Sequence, residues 1–257
     1  NLMTYRDAGF LPKALLNYIV RLGWSHGDQE IFSVDEMINL FALENINKSS
    51  ASFNQEKLDW INHSYIKNTE INELVSELEW HLNKLLIILN SKYPMNLSNL
   101  HPMMDLSDGP DIKEVVEVLR DRSKSLVDMA KNCAMFYKDF EFFGESNFES
   151  LSDLPNIWID IRDLADYDFW ENSLPVLGDL LERLETLEQW TAEHIHEVIL
   201  NICKTRNISF GKVGQPFRIA ISGDGKAGSI DKSAQLVGKK RVLLRLKMAI
   251  DWIDSLY

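Results

Sequence analysis

Helical periodicity returns in segment after segment of this 257-residue sequence, and that repetition narrows the possible folds more than any other feature. In LPKALLNYIVRLGW, Leu11, Leu15, Ile19 and Leu22 fall at the spacing that lines up side chains on one helix face. Pro12 suits a first helical position, where a missing N–H breaks no bond, and Gly23 stands just past the end. FSVDEMINLF then offers Ser33 and Glu36 as a reciprocal capping box, with Phe32 and Met37 placed to form the hydrophobic staple across it. NQEKLDWINHSYI repeats the pattern, with Asn54 as the cap and Leu58, Ile61 and Tyr65 turned inward. Residues 1–67 are thus predicted to be a unit of three helices without a strand.

EINELVSELEWHLNKLLIIL predicts a long amphipathic helix from Thr69, and the stretch from Asn90 to Asp111, with its three prolines, predicts a loop. Periodicity resumes through Ile112, Val115, Leu119, Leu126, Met129 and Phe136, with a break near Ser123. The polar cluster FGESNFESLSDLPN ends a second unit, and two further amphipathic helices follow, the later one opening on Thr191 as cap. The expectation is an all-α fold of consecutive helical bundles, divided as 1–67, 68–153 and 154–257.

Several function classes drop out early. The longest aliphatic run, Leu85 to Leu89, is far short of the roughly 20 residues that span a bilayer, so no membrane helix is expected. No signal peptide is visible, and the start at Asn1 reads as the interior of a longer product. Cys133 and Cys203, far apart on helical segments, predict reduced thiols in a cytosolic protein. His194 and His196 would point about 200° apart on a helix and could not share a metal. No Ser-His-Asp or Cys-His grouping has local support, and GDGKAGS fails the spacing of a phosphate loop.

Charge is more informative in its distribution than in its sum. The net charge is −12, yet the interval from Lys204 to Lys247 holds eleven Lys and Arg against Asp224 and Asp231, or +9, leaving −21 for the rest. A basic end on an acidic body is either solvated surface or a seat for a polyanion. In the last helix Val242, Leu246, Ala249, Ile250 and Ile253 form the inward stripe. Arg241 and Arg245 then share an outward edge, and Lys240 and Lys247 share another. Upstream, FRIAI alternates as a strand would, but Pro216 near a helix start and Gly223 past its end fit a short helix, which the neighbouring helices favour.

The order of these pieces resembles the bacterial glutamyl-tRNA synthetases, downstream of their catalytic lysine loop. YRDAGFLPKALLNYIVRLGWSHGDQEIFSVDEMINLF is similar to that family's tyrosine-arginine block, Leu-Pro helix and Gly-Trp-Ser turn, with Ala14, Leu15, Asn17, Arg21, Gly23 and Trp24 at matching positions. SSASFNQEKLDWINHSYI and RSKSLVDMA resemble later family segments, and LEQWTAEHIHEVI, GQPFRIAISG and LVGKKRVLLRL resemble its terminal helical domain. The resemblance implies a cytoplasmic, monomeric ligase that activates glutamate with ATP and transfers it to tRNA. ATP and Mg would belong to a catalytic domain outside this chain: neither the His-Ile-Gly-His type motif nor the Lys-Met-Ser-Lys type loop occurs here, so no cofactor and no isolated activity are expected.

On this resemblance residues 1–67 contact the tRNA stem, with Arg21, Lys48 and Lys57 reaching phosphates unless they are merely solvated. The two later units grip the anticodon, with Gln215, Arg218, Lys239, Lys240, Arg241, Arg245 and Lys247 as the binding set; arginine can both stack on bases and pair with their edges. Gln215 fits a capping or buried role equally well. Trp24, following a helix-ending glycine, is expected in the core. Two departures stand out: Gly228-Ser229 replaces the family's Ser-Pro, with Ser229 still expected to cap the helix that follows, and the loop from Asn90 to Asp111 has no family counterpart. The competing readings are a helical adaptor for protein partners and a relative that charges both glutamate and glutamine tRNAs. A glutaminyl-specific enzyme would need β-barrels in this half.

Overall fold

The computed structural model describes residues 1–47, 52–92, 109–137, 141–142, 158–159, 167–223 and 228–255. Among these residues twelve helices follow one another. The first five are α1 Leu2–Asp7, α2 Pro12–Gly23, α3 Val34–Leu40, α4 Gln55–Asn68 and α5 Ile71–Lys92. Next come α6 Ile112–Leu119 and α7 Leu126–Tyr137, then α8 Tyr167–Glu185 and α9 Ala192–Arg206. The last three are α10 Phe210–Ser222, α11 Ile230–Val237 and α12 Lys239–Asp254. Two short strands, β1 Glu141–Phe142 and β2 Trp158–Ile159, pair in parallel. They leave the fold all-α, as the periodicity predicts.

The caps lie where the sequence places them. The Ser33 hydroxyl accepts the Glu36 amide at 3.1 Å, and the Glu36 carboxylate accepts the Ser33 amide at 2.7 Å. Phe32 and Met37 are buried beside it together with Trp24, forming a small second core. Asn54 caps α4 through the Lys57 amide, and Thr191 caps α9 through the His194 amide. The break near Ser123 separates α6 from α7.

Four local expectations need correction. The first 68 residues hold four α-helices and not three, because α1 precedes the Leu-Pro helix. Ile19, placed on the inward stripe of α2, is 52% exposed; Ala14, Leu15, Asn17 and Tyr18 are buried instead. The face turns because buried Asn17 must reach the loop beyond α2, donating to the Glu30 carbonyl and accepting the Phe32 amide at 2.7 Å. Helix α10 starts at Phe210, well before Pro216, and runs through it. Pro216 donates no backbone bond, but burial of Val213, Phe217, Ala220 and Ile221 on that helix offsets the loss. Ser229 occupies the cap position of α11 but makes no capping bond; its hydroxyl turns to the Asp231 carboxylate.

One main core runs from Leu11 to Ile253, and polar joints tie the successive helices to it. Gly9, at φ +85°, has a carbonyl that accepts the Leu126 amide at 2.9 Å, and a Cβ there would lie 2.5 Å from the Val127 nitrogen. Only glycine combines that backbone angle with that approach. Buried Asn62 accepts the Leu11 amide and donates to the Lys124 carbonyl at 2.7 Å. Arg120 spans from α6 to the end of α4, donating to the carbonyls of Ile66, Lys67 and Thr69. The expected division at 67/68 falls within α4, whose last residue is Asn68, while the division at 153/154 and residues 93–108 of the expected loop lie outside the described residues.

Candidate nucleic-acid interface

The terminal helix carries its arginines inward. Arg245 is 1% exposed and donates to the carbonyls of Ile221 at 2.6 Å and Met135 at 2.9 Å. Arg241, one turn away, donates to the Phe136 carbonyl at 3.0 Å. The two share an edge, as their spacing predicts, but that edge faces protein and not solvent. α12 packs against α8 on one side and α10 on another, and the ends of α7 and α10 present carbonyls that attract cations. Lys239 is likewise tied, donating to the Leu187 carbonyl at 2.7 Å, and Lys247 pairs with Glu185 at 3.3 Å. Lys240 is exposed.

The stem-side bases behave similarly. Arg21 is forked onto Glu30, with its side chain 11% exposed, and also donates to the Trp24 carbonyl. Lys57 reaches the same carboxylate at 2.9 Å. The Arg21 hydrogen bond is the main cause holding the Glu30 carboxyl below the usual range, against a smaller opposing effect of burial. Lys48 lies outside the described residues.

Arg218 and Gln215 have a different setting. Arg218 donates to the Gln215 side-chain oxygen at 3.1 Å on α10 and lines a cleft of about 540 Å³ between α6 and the α9–α11 group. Exposed Arg122, from the turn after α6, and exposed Lys232, from the first turn of α11, stand on either side of it. Phe210, 36% exposed, lies 5.4 Å from the His196 ring at a tilt of 33°. His196 in turn meets Asp231 at 3.0 Å. Burial pushes the Asp231 carboxyl up, but bonds from Ser229, the Lys232 amide and His196 outweigh it and hold the group low. Lys67 pairs loosely with Asp121 at 3.4 Å on the near wall.

Cations beside an exposed aromatic face, in a cleft wide enough for a base, are what single-stranded nucleic acid requires. The cleft sets Lys67, Arg122, Arg218 and Lys232 against Glu117, Asp121 and Asp231, whereas a neighbouring cleft beside Trp60 sets only Arg122 and Lys124 against Glu56, Asp59 and Asp121, a poorer setting for phosphate. Arg122, Lys67, Lys232 and Phe210 line the cleft with Arg218 and are not among the residues that the spacing and the resemblance select. Two of them carry a signal in the sequence: Phe210 is one of two aromatics in the basic interval 204–247, and Arg122 adjoins the break expected near Ser123. Among the described residues no group of His, Cys, Asp and Glu could hold a metal ion, and no helix is long and apolar enough to cross a membrane.

A family model described as the anticodon binding domain matches residues 73–250, most of the chain and every wall of the cleft except Lys67. The chain belongs to the anticodon-binding-domain family. A second model, the catalytic domain of class I tRNA synthetases (E and Q), matches residues 1–60. Curated relatives include glutamate–tRNA ligases of Vesicomyosocius okutanii, 47% identical over 98% of this chain and 48% of that protein, and of Ruthia magnifica, at 47% identity over 98% and 47%. Glutamate–tRNA ligase 1 of Nitrosococcus oceani is 41% identical over 99% of this chain and 47% of its own. The resemblance read from the residues is thereby borne out, and this anticodon-binding-family chain spans about half the length of those relatives. Two solved structures share its fold over 96% of the chain and 42% of their own. They are a glutamate tRNA ligase from Elizabethkingia meningosepticum in complex with its amino acid, TM-score 0.63 at 23% identity, and a glutamate-tRNA synthetase from Elizabethkingia anophelis, TM-score 0.62 at 24%.

Proposed function

We propose that this chain is the tRNA-reading part of a glutamate–tRNA ligase and that the cleft around Arg218 seats the anticodon. The observation that carries the reading is the grouping of Arg218, Arg122, Lys232 and Phe210 around one opening inside the anticodon-binding match. A base turned out of the loop stacks on Phe210, the planar fork of Arg218 donates to its edge, and Gln215 fixes the plane of that fork from its hydrogen-bonded position. Arg122, Lys232 and Lys67 neutralise the phosphates that follow. Lys240 extends this set as an exposed cation of the terminal helix. Arg241, Arg245 and Lys239 leave it, because their donors serve main-chain carbonyls.

The reading implies a partner, the glutamate-acceptor tRNA, and a setting, a monomeric enzyme of the cytoplasm. The acidic body repels RNA elsewhere and orients the arm toward the basic end. On this reading ATP and Mg belong to the class I catalytic domain, whose model the chain matches only over residues 1–60, and no step of that chemistry is assigned to the described residues.

Binding of a glutamate-acceptor tRNA and of an anticodon-swapped tRNA across a salt series tests the assignment. The wild type should prefer the first. Arg218→Ala should cost about 1–3 kcal/mol and erase the preference, whereas Arg122→Ala and Lys232→Ala should each reduce the salt slope by about 1 with the preference kept. Equal affinity of the wild type for both tRNAs overturns the anticodon role.

A further inference from the structure

The cleft around Arg218 is rich in donors, and the carboxylates that line it are engaged. Glu117 meets Arg120 at 3.1 Å, Asp121 meets Lys67 at 3.4 Å, and Asp231 accepts the Lys232 amide at 2.9 Å and the Ser229 hydroxyl. Asp231, in the first turn of α11, also faces His196 of α9, whose Nδ1 lies 3.0 Å from its carboxylate. An ionised carboxylate can only accept, and the bonds around Asp231 hold it ionised despite its burial. The proton of a neutral His196 ring therefore sits on Nδ1, which leaves Nε2 as a lone-pair acceptor. Among the described residues no protein group pairs with that nitrogen. The side chain is 42% exposed at the cleft, and the Phe210 ring, 5.4 Å away, gives the imidazole a second fixed contact. His194 shows the contrast: its Nδ1 meets the Thr191 hydroxyl at 2.8 Å, and it lines no part of the cleft.

We propose that His196 reads a base in this cleft, accepting at Nε2 a hydrogen bond from the exocyclic amino group of a cytosine or adenine, with Asp231 as the positioning residue that fixes the tautomer. On their Watson–Crick edges these two bases set an amino donor beside an unprotonated ring nitrogen, whereas uracil and guanine set a carbonyl oxygen beside a ring N–H. An imidazole acceptor in the same cleft as the Arg218 donors matches the first pattern. Against the second it sets lone pair against lone pair and donor against donor, and that mismatch is what rejects the wrong base. The group recognised is an uncharged amino group, so the role is separate from that of the cations that meet phosphate. The inference rests on the reading of this cleft as the seat of the anticodon.

The experiment measures affinity for glutamate-acceptor tRNAs that each carry one anticodon-loop exchange within a ring class, cytosine with uracil or adenine with guanine, at about pH 8, where an ordinary imidazole is neutral. At one loop position the amino base should bind about fivefold more tightly than its keto counterpart, the contribution of one neutral hydrogen bond. His196→Phe keeps a flat ring beside Phe210 but removes the acceptor. That preference should then vanish, while the salt slope and the response at the other loop positions stay as they were. Asp231→Asn lets a carboxamide donate to Nδ1 and moves the proton to Nε2. The preference should then be lost or turn toward the keto base, and nitrogen NMR of the imidazole should find the proton on Nε2, where the wild type carries it on Nδ1. Circular dichroism should be unchanged in both variants. A role confined to holding α9 against α11 would instead lower affinity for every tRNA alike, and that result overturns the proposal. So does a preference retained in His196→Phe, or a neutral wild-type ring protonated on Nε2. Wild-type affinity that ignores every loop exchange overturns the anticodon reading and this inference together, so the two failures are told apart.

Discussion

Arg245 donates to the Met135 carbonyl at 2.9 Å, across 110 residues of sequence. With its other terminal nitrogen it holds the Ile221 carbonyl at 2.6 Å, so one buried guanidinium closes the ends of α7 and α10 together. Arg245→Met would leave two buried acceptors without this donor, at roughly 1–3 kcal/mol each before relaxation. The expected loss is about 2–4 kcal/mol in the free energy of unfolding, read from urea midpoints at constant m. Arg245→Lys should recover less than half, because a single ammonium on a flexible stem does not reproduce the fork. A loss below about 1 kcal/mol for the methionine variant would mean that the joint does not carry the packing of the two units.

Glu30 joins Arg21 of α2 to Lys57 of α4. Its folded-state pKa is depressed, first by the Arg21 hydrogen bond. A depressed carboxyl contributes stability that is fully present above the unfolded value of 4.5 and is lost as pH falls through the lower folded value. Unfolding free energy measured between about pH 6 and pH 3 should therefore decline less steeply below 4.5 in Glu30→Gln than in the wild type. The group is partly exposed and screened, so the difference should stay under about 1 kcal/mol. Identical slopes in the two proteins would show the pair to be energetically silent.

What was legible in the sequence was local. Caps and breaks such as Ser33, Asn54, Thr191 and the turn near Ser123 depend on a few neighbouring residues, and each sits where its pattern places it. Faces were harder. Ile19 fits the apolar stripe of α2, yet the buried polar demand of Asn17 rotates the helix. Arg241 and Arg245 share an edge, as spacing requires, but spacing does not say what stands opposite, and here the ends of two other helices do. The cleft was half legible: Arg218 and Gln215 come from a motif, whereas Arg122 and Lys232 meet them only through tertiary packing of α6 against α11.

The capping box of α3 gives a self-contained test of that local legibility. Ser33→Ala removes the acceptor for the Glu36 amide while Glu36 still accepts the Ser33 amide. Thermal unfolding should show a loss of about 1 kcal/mol, since α3 is short and its staple residues Phe32 and Met37 depend on the entry angle it fixes. Ser33→Asp should retain most of the stability, because aspartate caps as well and suits the positive end of the helix dipole. A larger loss for aspartate than for alanine would show that the staple, and not the cap, sets this turn.

Gly228 is the position where fold and cleft meet. A Cβ built there would lie 2.6 Å from the Val118 carbonyl oxygen and 2.8 Å from the Val118 Cγ1. Backbone, not a flexible side-chain end, would have to yield. The substitution Gly228→Ala therefore pushes the start of α11 away from α6, and Val118, Ser229 and Ile230 all line the cleft. Overpacking of this kind costs about 1–3 kcal/mol, and because the displaced elements are the cleft walls, much of that cost should appear as weaker tRNA binding. Roughly tenfold is expected, with the preference for the glutamate-acceptor anticodon reduced as well. Gly178→Ala is the matched control: it lies inside α8 with nothing within 4 Å of the added Cβ, and alanine there should leave binding unchanged and raise stability by up to about 1 kcal/mol. Unaltered tRNA affinity in Gly228→Ala would mean that α6 and α11 part without disturbing the bound RNA, and the contact surface would then have to lie on one side of the cleft alone.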